Sequence, residues 1–132
     1  MRYAALAASV TALILANSPA TAQMMNITAE CTTDETGGSG VRHDCDSAPS
    51  TGSAPDGYVF SQNQALVTKS SGNGDESDCN FGWSDFVEVV PGSGLTQPRT
   101  FTLSAHARSP SGHWAGRGWA NCSATLRLAK YK

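Results

Sequence analysis

The chain has 132 residues, 39% apolar and 15% charged, with 13 glycines and a formal net charge of −2. That is enough chain for one domain and too little for two. The composition excludes a membrane-embedded protein and a large helical core, while three Trp, four Phe and three Tyr set the chain apart from a disordered one.

The first segment, residues 1–22, reads as a cleaved signal peptide. Arg2 gives a positive start, Ala4–Ala16 is an apolar stretch of 13 residues, Asn17-Ser18-Pro19 breaks it, and Ala20-Thr21-Ala22 is a small-x-small cleavage site. Thirteen residues fall short of the roughly 20 that cross a bilayer, so no transmembrane anchor is expected after cleavage. The expectation is a secreted or periplasmic protein whose residues 23–132 form a single domain.

Export decides how the four cysteines read. In an oxidising compartment an even number implies disulfides, and Cys31, Cys45, Cys79 and Cys122 lack the close pairs of a zinc site. The favoured pairing is Cys31–Cys45, which staples the loop around Thr36-Gly37-Gly38-Ser39-Gly40, with Cys79–Cys122 across the core.

Along the chain, strands are expected at Ile27–Thr32, Tyr58–Phe60, Ala65–Thr68, Phe86–Val90, Thr100–Arg108, His113–Asn121 and Cys122–Tyr131. The Gly-, Ser- and Pro-rich stretch from Cys31 to Gly57 reads as loop. Short strands between turn signals, with no helical periodicity, predict an all-β fold: a small antiparallel β-sandwich, Ig-like in general architecture.

The C-terminal third carries the clearest pattern. Phe101, Leu103, Ala105 and Ala107 alternate with Thr102, Ser104, His106 and Arg108, and Ser109-Pro110-Ser111-Gly112 offers a turn. A hairpin closed there puts Arg108 opposite His113. Its apolar face holds Phe101, Leu103, Ala105, Ala107, Trp114, Ala120 and Cys122. Its outer face holds His106, Arg108, His113, Arg117 and Trp119, a stripe of cations beside an indole.

Charge is split along the chain. From Gln23 to Glu88 there are eleven acids and two bases, and from Val89 to Lys132 six bases and no acid. Such a split gives either a bipolar surface or a set of mutually neutralising pairs.

No catalytic or phosphate-binding signature is present in the sequence, and nothing points to a cofactor. The acidic loop Asn73–Asp78 lacks the glycine and distal Glu of an EF-hand and reads as solvated. The expected function is a non-catalytic binding module for an anionic polysaccharide or other envelope polymer, held by His106, Arg108, His113, Arg117 and Trp119. Guanidinium groups suit carboxylate, phosphate or sulfate oxygens. A net-acidic exported chain argues against nucleic acid. Two alternatives remain: a small hydrolase or metal-dependent enzyme using His106 and His113, and a structural subunit pairing acidic and basic faces.

Overall fold

A computed structural model describes residues 23–72 and 76–132. The leader expected over residues 1–22, and Asn73, Gly74 and Asp75 of the acidic loop, lie outside them. Among the described residues there are eight strands, a 3-10 turn at Gln62–Gln64 and no α-helix. No helix there is long and apolar enough to cross a membrane. The strands are β1 (Met24–Thr32), β2 (Asp44–Asp46), β3 (Ser50–Ser53), β4 (Tyr58–Phe60), β5 (Leu66–Gly72), β6 (Ser77–Glu88), β7 (Thr96–Arg108) and β8 (Trp119–Lys130).

They form two four-stranded antiparallel sheets. In the first, β8 pairs with β1 from Met24 opposite Arg127 to Thr32 opposite Trp119. Along its other edge β8 pairs in tandem with β5, from Leu66 opposite Thr125 to Gly72 opposite Trp119, and with β4, from Tyr58 opposite Lys130 to Phe60 opposite Leu128. In the second sheet β7 pairs with β6 from Ser77 opposite Ala107 to Glu88 opposite Thr96. Its remaining edge holds β2 and β3 in tandem.

Both central strands obey the two-residue period of a half-buried strand. Phe101, Leu103, Ala105 and Ala107 of β7 are buried, as are Ala120, Cys122, Ala124 and Leu126 of β8, with Ile27, Ala29 and Phe60 beside them. The core is graded along its length. Alanines and cystine fill one end, so the sheets bury little apolar surface there. At the other, Trp83 lies 4.8 Å from Phe101 and 6.0 Å from Phe60.

The thin end is stapled instead. Cys31 of β1 is bonded to Cys45 of β2, and Cys79 of β6 to Cys122 of β8, so both expected pairs are present and each ties one sheet to the other. Closing loops with sequence separations of 14 and 43 residues contributes about 3 and about 4 kcal/mol in the chain-entropy model.

Three expectations are corrected. The stretch from Cys31 to Gly57 contains two strands, because β7 presents an open edge to it. Ser50-Thr51-Gly52-Ser53 has loop composition, yet Ile27 and Met25 pack over the space left by Gly52 and hold the segment against Phe101. Strand β6 begins at Ser77, well before the expected Phe86. The largest difference is the C-terminal hairpin, which does not form. Strands β7 and β8 sit face to face in different sheets, joined by residues 109–118, and His113–Gly118 is not strand. Trp114, expected in the core, is 74% exposed.

Candidate functional site

With the inner sides filled, binding chemistry falls to the outer faces and the end loops. On the first sheet the outward residues line up in four cross-strand rows. They run Asn26–Thr125–Leu66, Thr28–Ser123–Thr68, Glu30–Asn121–Ser70 and Thr32–Trp119–Gly72. Successive rows are about 7 Å apart, the repeat of alternate residues on a strand. A depression of about 500 Å³ lies over the middle rows, lined by Thr28, Glu30, Thr68, Ser70, Asn121 and Ser123. Its lining side chains are short hydroxyls and one amide together with two charges, Glu30 and Lys69, the latter donating from Nζ to the Ser77 carbonyl at 2.9 Å. Trp119 closes the row beside it. The half-buried indole rests where Gly72 has no side chain: a Cβ at Gly72 would meet indole Cε2 and Cζ2 at 2.7 Å.

The second sheet's outer face is divided. Toward the thick end it carries Thr51, Ser53, Thr100, Thr102 and Ser84. Toward the disulfides it becomes ionic: His106 sits between Asp46 and Asp78, and Arg108 between Asp44 and Glu76. His106 Nδ1 is 2.8 Å from Asp46 Oδ1. Arg108 Nε is 3.5 Å from Asp44 Oδ1, and its Nη1 is 3.7 Å from Glu76 Oε2. The hydrogen bond to Asp46 raises the His106 pKa above its ordinary 6.5. Partial burial opposes this, and the charges of Asp46, Asp44 and Asp78 add to it.

His113 and Arg117 belong to neither face. The connection 109–118 is knitted to residues 33–43 through buried hydroxyls. Gly118 N donates to Thr33 Oγ1 at 2.9 Å, Ala115 N to Thr36 Oγ1 at 2.8 Å, and His43 N to Ser109 Oγ at 2.8 Å. These bonds satisfy backbone groups that burial would otherwise leave unpaired. His113 Nδ1 is held 2.6 Å from the Gly38 carbonyl, and Arg117 Nε lies 3.7 Å from Glu35 Oε1.

The five residues expected to form one stripe are therefore distributed over three places. His106 and Arg108 share the second sheet's outer face, Trp119 lies on the first sheet's, and His113 and Arg117 are in the end loops. The reason is the missing hairpin: strands packed face to face turn their polar sides in opposite directions. The rings of His106 and His113 have separate partners, and no group of three or more His, Cys, Asp or Glu arranged to hold a metal occurs among the described residues. The ion pairs of Arg99, His106, Arg108 and Arg117 all join an acid of the first half to a base of the second, so those charges neutralise one another.

The sequence reading missed Thr28, Glu30, Thr68, Ser70 and Ser123. Their alternation with Ile27, Ala29, Val67, Cys122 and Ala124 was present as a signal, but only the strand order brings the three columns together. No family model matches the chain, and no curated protein and no solved structure matches it either.

Proposed function

We propose that this is an exported, non-catalytic binding module of Ig-like general architecture that holds a polysaccharide on the outer face of the β1–β8–β5 sheet. The leader at residues 1–22 would carry it to the periplasm or beyond. The observation that carries the reading is the 500 Å³ depression of hydroxyl and amide groups beside Trp119. Such groups exchange hydrogen bonds with sugar hydroxyls, and an indole offers a flat apolar platform to a pyranose face. Glu30 and Lys69 at the depression are one charge of each sign, and this balance favours a neutral polymer. An anionic one would draw on His106, Arg108 and Arg117, whose charges already face carboxylates.

The test is a binding screen of the disulfide-bonded protein against neutral and anionic polysaccharides at low and high salt. The expected result is salt-insensitive binding of a neutral glycan, lost in Trp119→Ala and weakened in Asn121→Ala, with folding retained. Salt-sensitive binding of an anionic polymer that Arg117→Ala abolishes and Trp119→Ala spares would overturn the reading.

A further inference from the structure

Two tripeptides have the form Asn-x-Ser/Thr without Pro in the middle, the acceptor motif for N-linked glycans in exported chains: Asn26-Ile27-Thr28 and Asn121-Cys122-Ser123. Both fall on the first sheet. The two-residue period turns each Asn and its hydroxyl residue outward, while Ile27 and Cys122 go into the core. Asn26, Thr28 and Asn121 are exposed.

The surroundings of the two motifs differ. Asn26 stands on β1, an edge strand of its sheet, so a bulky group there has open space on one side. Thr125 Oγ1 donates to Asn26 Oδ1 at 3.1 Å, a bond that leaves out Nδ2, the atom that takes a sugar. Asn121 stands on the central strand between Glu30 and Ser70, inside the depression, and its neighbour Cys122 is bonded to Cys79. Order of synthesis separates them further, because glycan transfer acts on extended, unpaired chain. Strand β1 is made first and its partner β8 last. At roughly 5–20 residues per second, β1 waits about 5–20 s for that partner. Asn121 emerges with β1, β5 and Cys79 already present and is drawn at once into the sheet.

We propose that Asn26 is the attachment site of an N-linked glycan and that Asn121 stays bare. The donor is a polyprenyl-diphosphate-linked oligosaccharide. Asn26 Nδ2 forms the new bond to the anomeric carbon, the bond from that carbon to the diphosphate oxygen breaks with its electron pair, and one amide proton is lost. Thr28 supplies the hydroxyl that the transferring enzyme reads. Asn26 lies three rows, about 20 Å, from Trp119, so the attachment point is clear of the indole. The assignment rests on the export read from residues 1–22, and the experiment tells the two apart.

The full chain, leader included, is expressed in a eukaryotic secretory host. The secreted, disulfide-bonded protein is treated with a glycan-releasing amidase, which converts the modified asparagine to aspartate, and its peptides are mapped by mass spectrometry. The expected result is a glycan at Asn26 alone. Asn26→Gln and Thr28→Val each remove it completely, Thr28→Ser keeps it, and Asn121→Gln leaves it unchanged. Secreted protein without a glycan, a glycan at Asn121, or one that survives Thr28→Val would each overturn the site while leaving the export reading intact. A chain that its own leader fails to deliver would overturn the export reading and this site with it.

Discussion

The two outer faces of the sandwich are built on central strands of the same design and end up chemically different. Strand β8 turns Trp119, Asn121, Ser123 and Thr125 outward, and β7 turns Thr100, Thr102, Ser104, His106 and Arg108 outward. The neighbours decide the outcome. Around β8 they supply Thr28, Thr68 and Ser70 with one acid, Glu30, and one base, Lys69, leaving a depression that is mostly hydroxyl and balanced in charge. Around His106 and Arg108 they supply Asp44, Asp46, Glu76 and Asp78, so the cations are answered before any ligand arrives. A face is a property of three strands, and a single strand's polar alternation does not state its charge.

The two faces share the core behind them, and breaking it gives the largest expected effect. Phe101 is fully buried, stacks 5.7 Å from Phe81 and meets Trp83 edge-on. Phe101→Ala is expected to cost about 3–5 kcal/mol, most of the stability of a domain this small. The outward neighbour Thr102→Ala should stay within about 0.5 kcal/mol. Urea unfolding of the two variants checks this. Equal losses would mean that β7 does not present its odd-numbered residues to the core.

The same alternation explains what was legible in the sequence. It identified the buried sides of β7 and β8 correctly, because burial follows the two-residue period whatever lies opposite. It did not reveal whether Phe101 and Ala120 are neighbours along one sheet or partners across two, since both arrangements place the apolar residues together. The disulfides were legible because few pairings compete among four cysteines. Strands β2 and β3 were not, because their pairing with β7 and the packing of Ile27 over Gly52 are long-range and override local composition. The sugar-type face stayed hidden for the same reason: its columns come from residues far apart in the chain.

The independence of the faces is sharpened by a smaller change on one of them. Gly72→Ala adds a methyl that would meet the Trp119 indole at 2.5–2.7 Å, so the ring must move off the sheet. Overpacking of this kind costs about 1–3 kcal/mol. Trp119 fluorescence and binding of the neutral glycan should change together, while His106, on the opposite side of the sandwich, titrates as before. A shift in the His106 titration, or unchanged fluorescence, would count against the separation of the two faces.

The smallest effect belongs to the ionic face and depends on pH. His106 faces Asp44 and Asp46 from β2 and Asp78 from β6, with Arg108 two residues along its own strand. Its folded pKa lies above 6.5, chiefly through the Asp46 hydrogen bond. The folded state therefore binds this proton more tightly than the unfolded chain does. The resulting stability is fully present below pH 6.5 and disappears as pH rises through the raised folded value. Because the pair is solvent-accessible, its contribution should stay under about 1 kcal/mol and shrink further in high salt. An NMR titration of the His106 ring should give a midpoint above 6.5 that falls back in Asp46→Asn. The decline in unfolding free energy over the same window should be shallower in His106→Gln than in the parent protein. A His106 midpoint at or below 6.5, or one that Asp46→Asn leaves unmoved, would show that the carboxylates of β2 do not hold the proton and that this face is less ionic than its geometry implies.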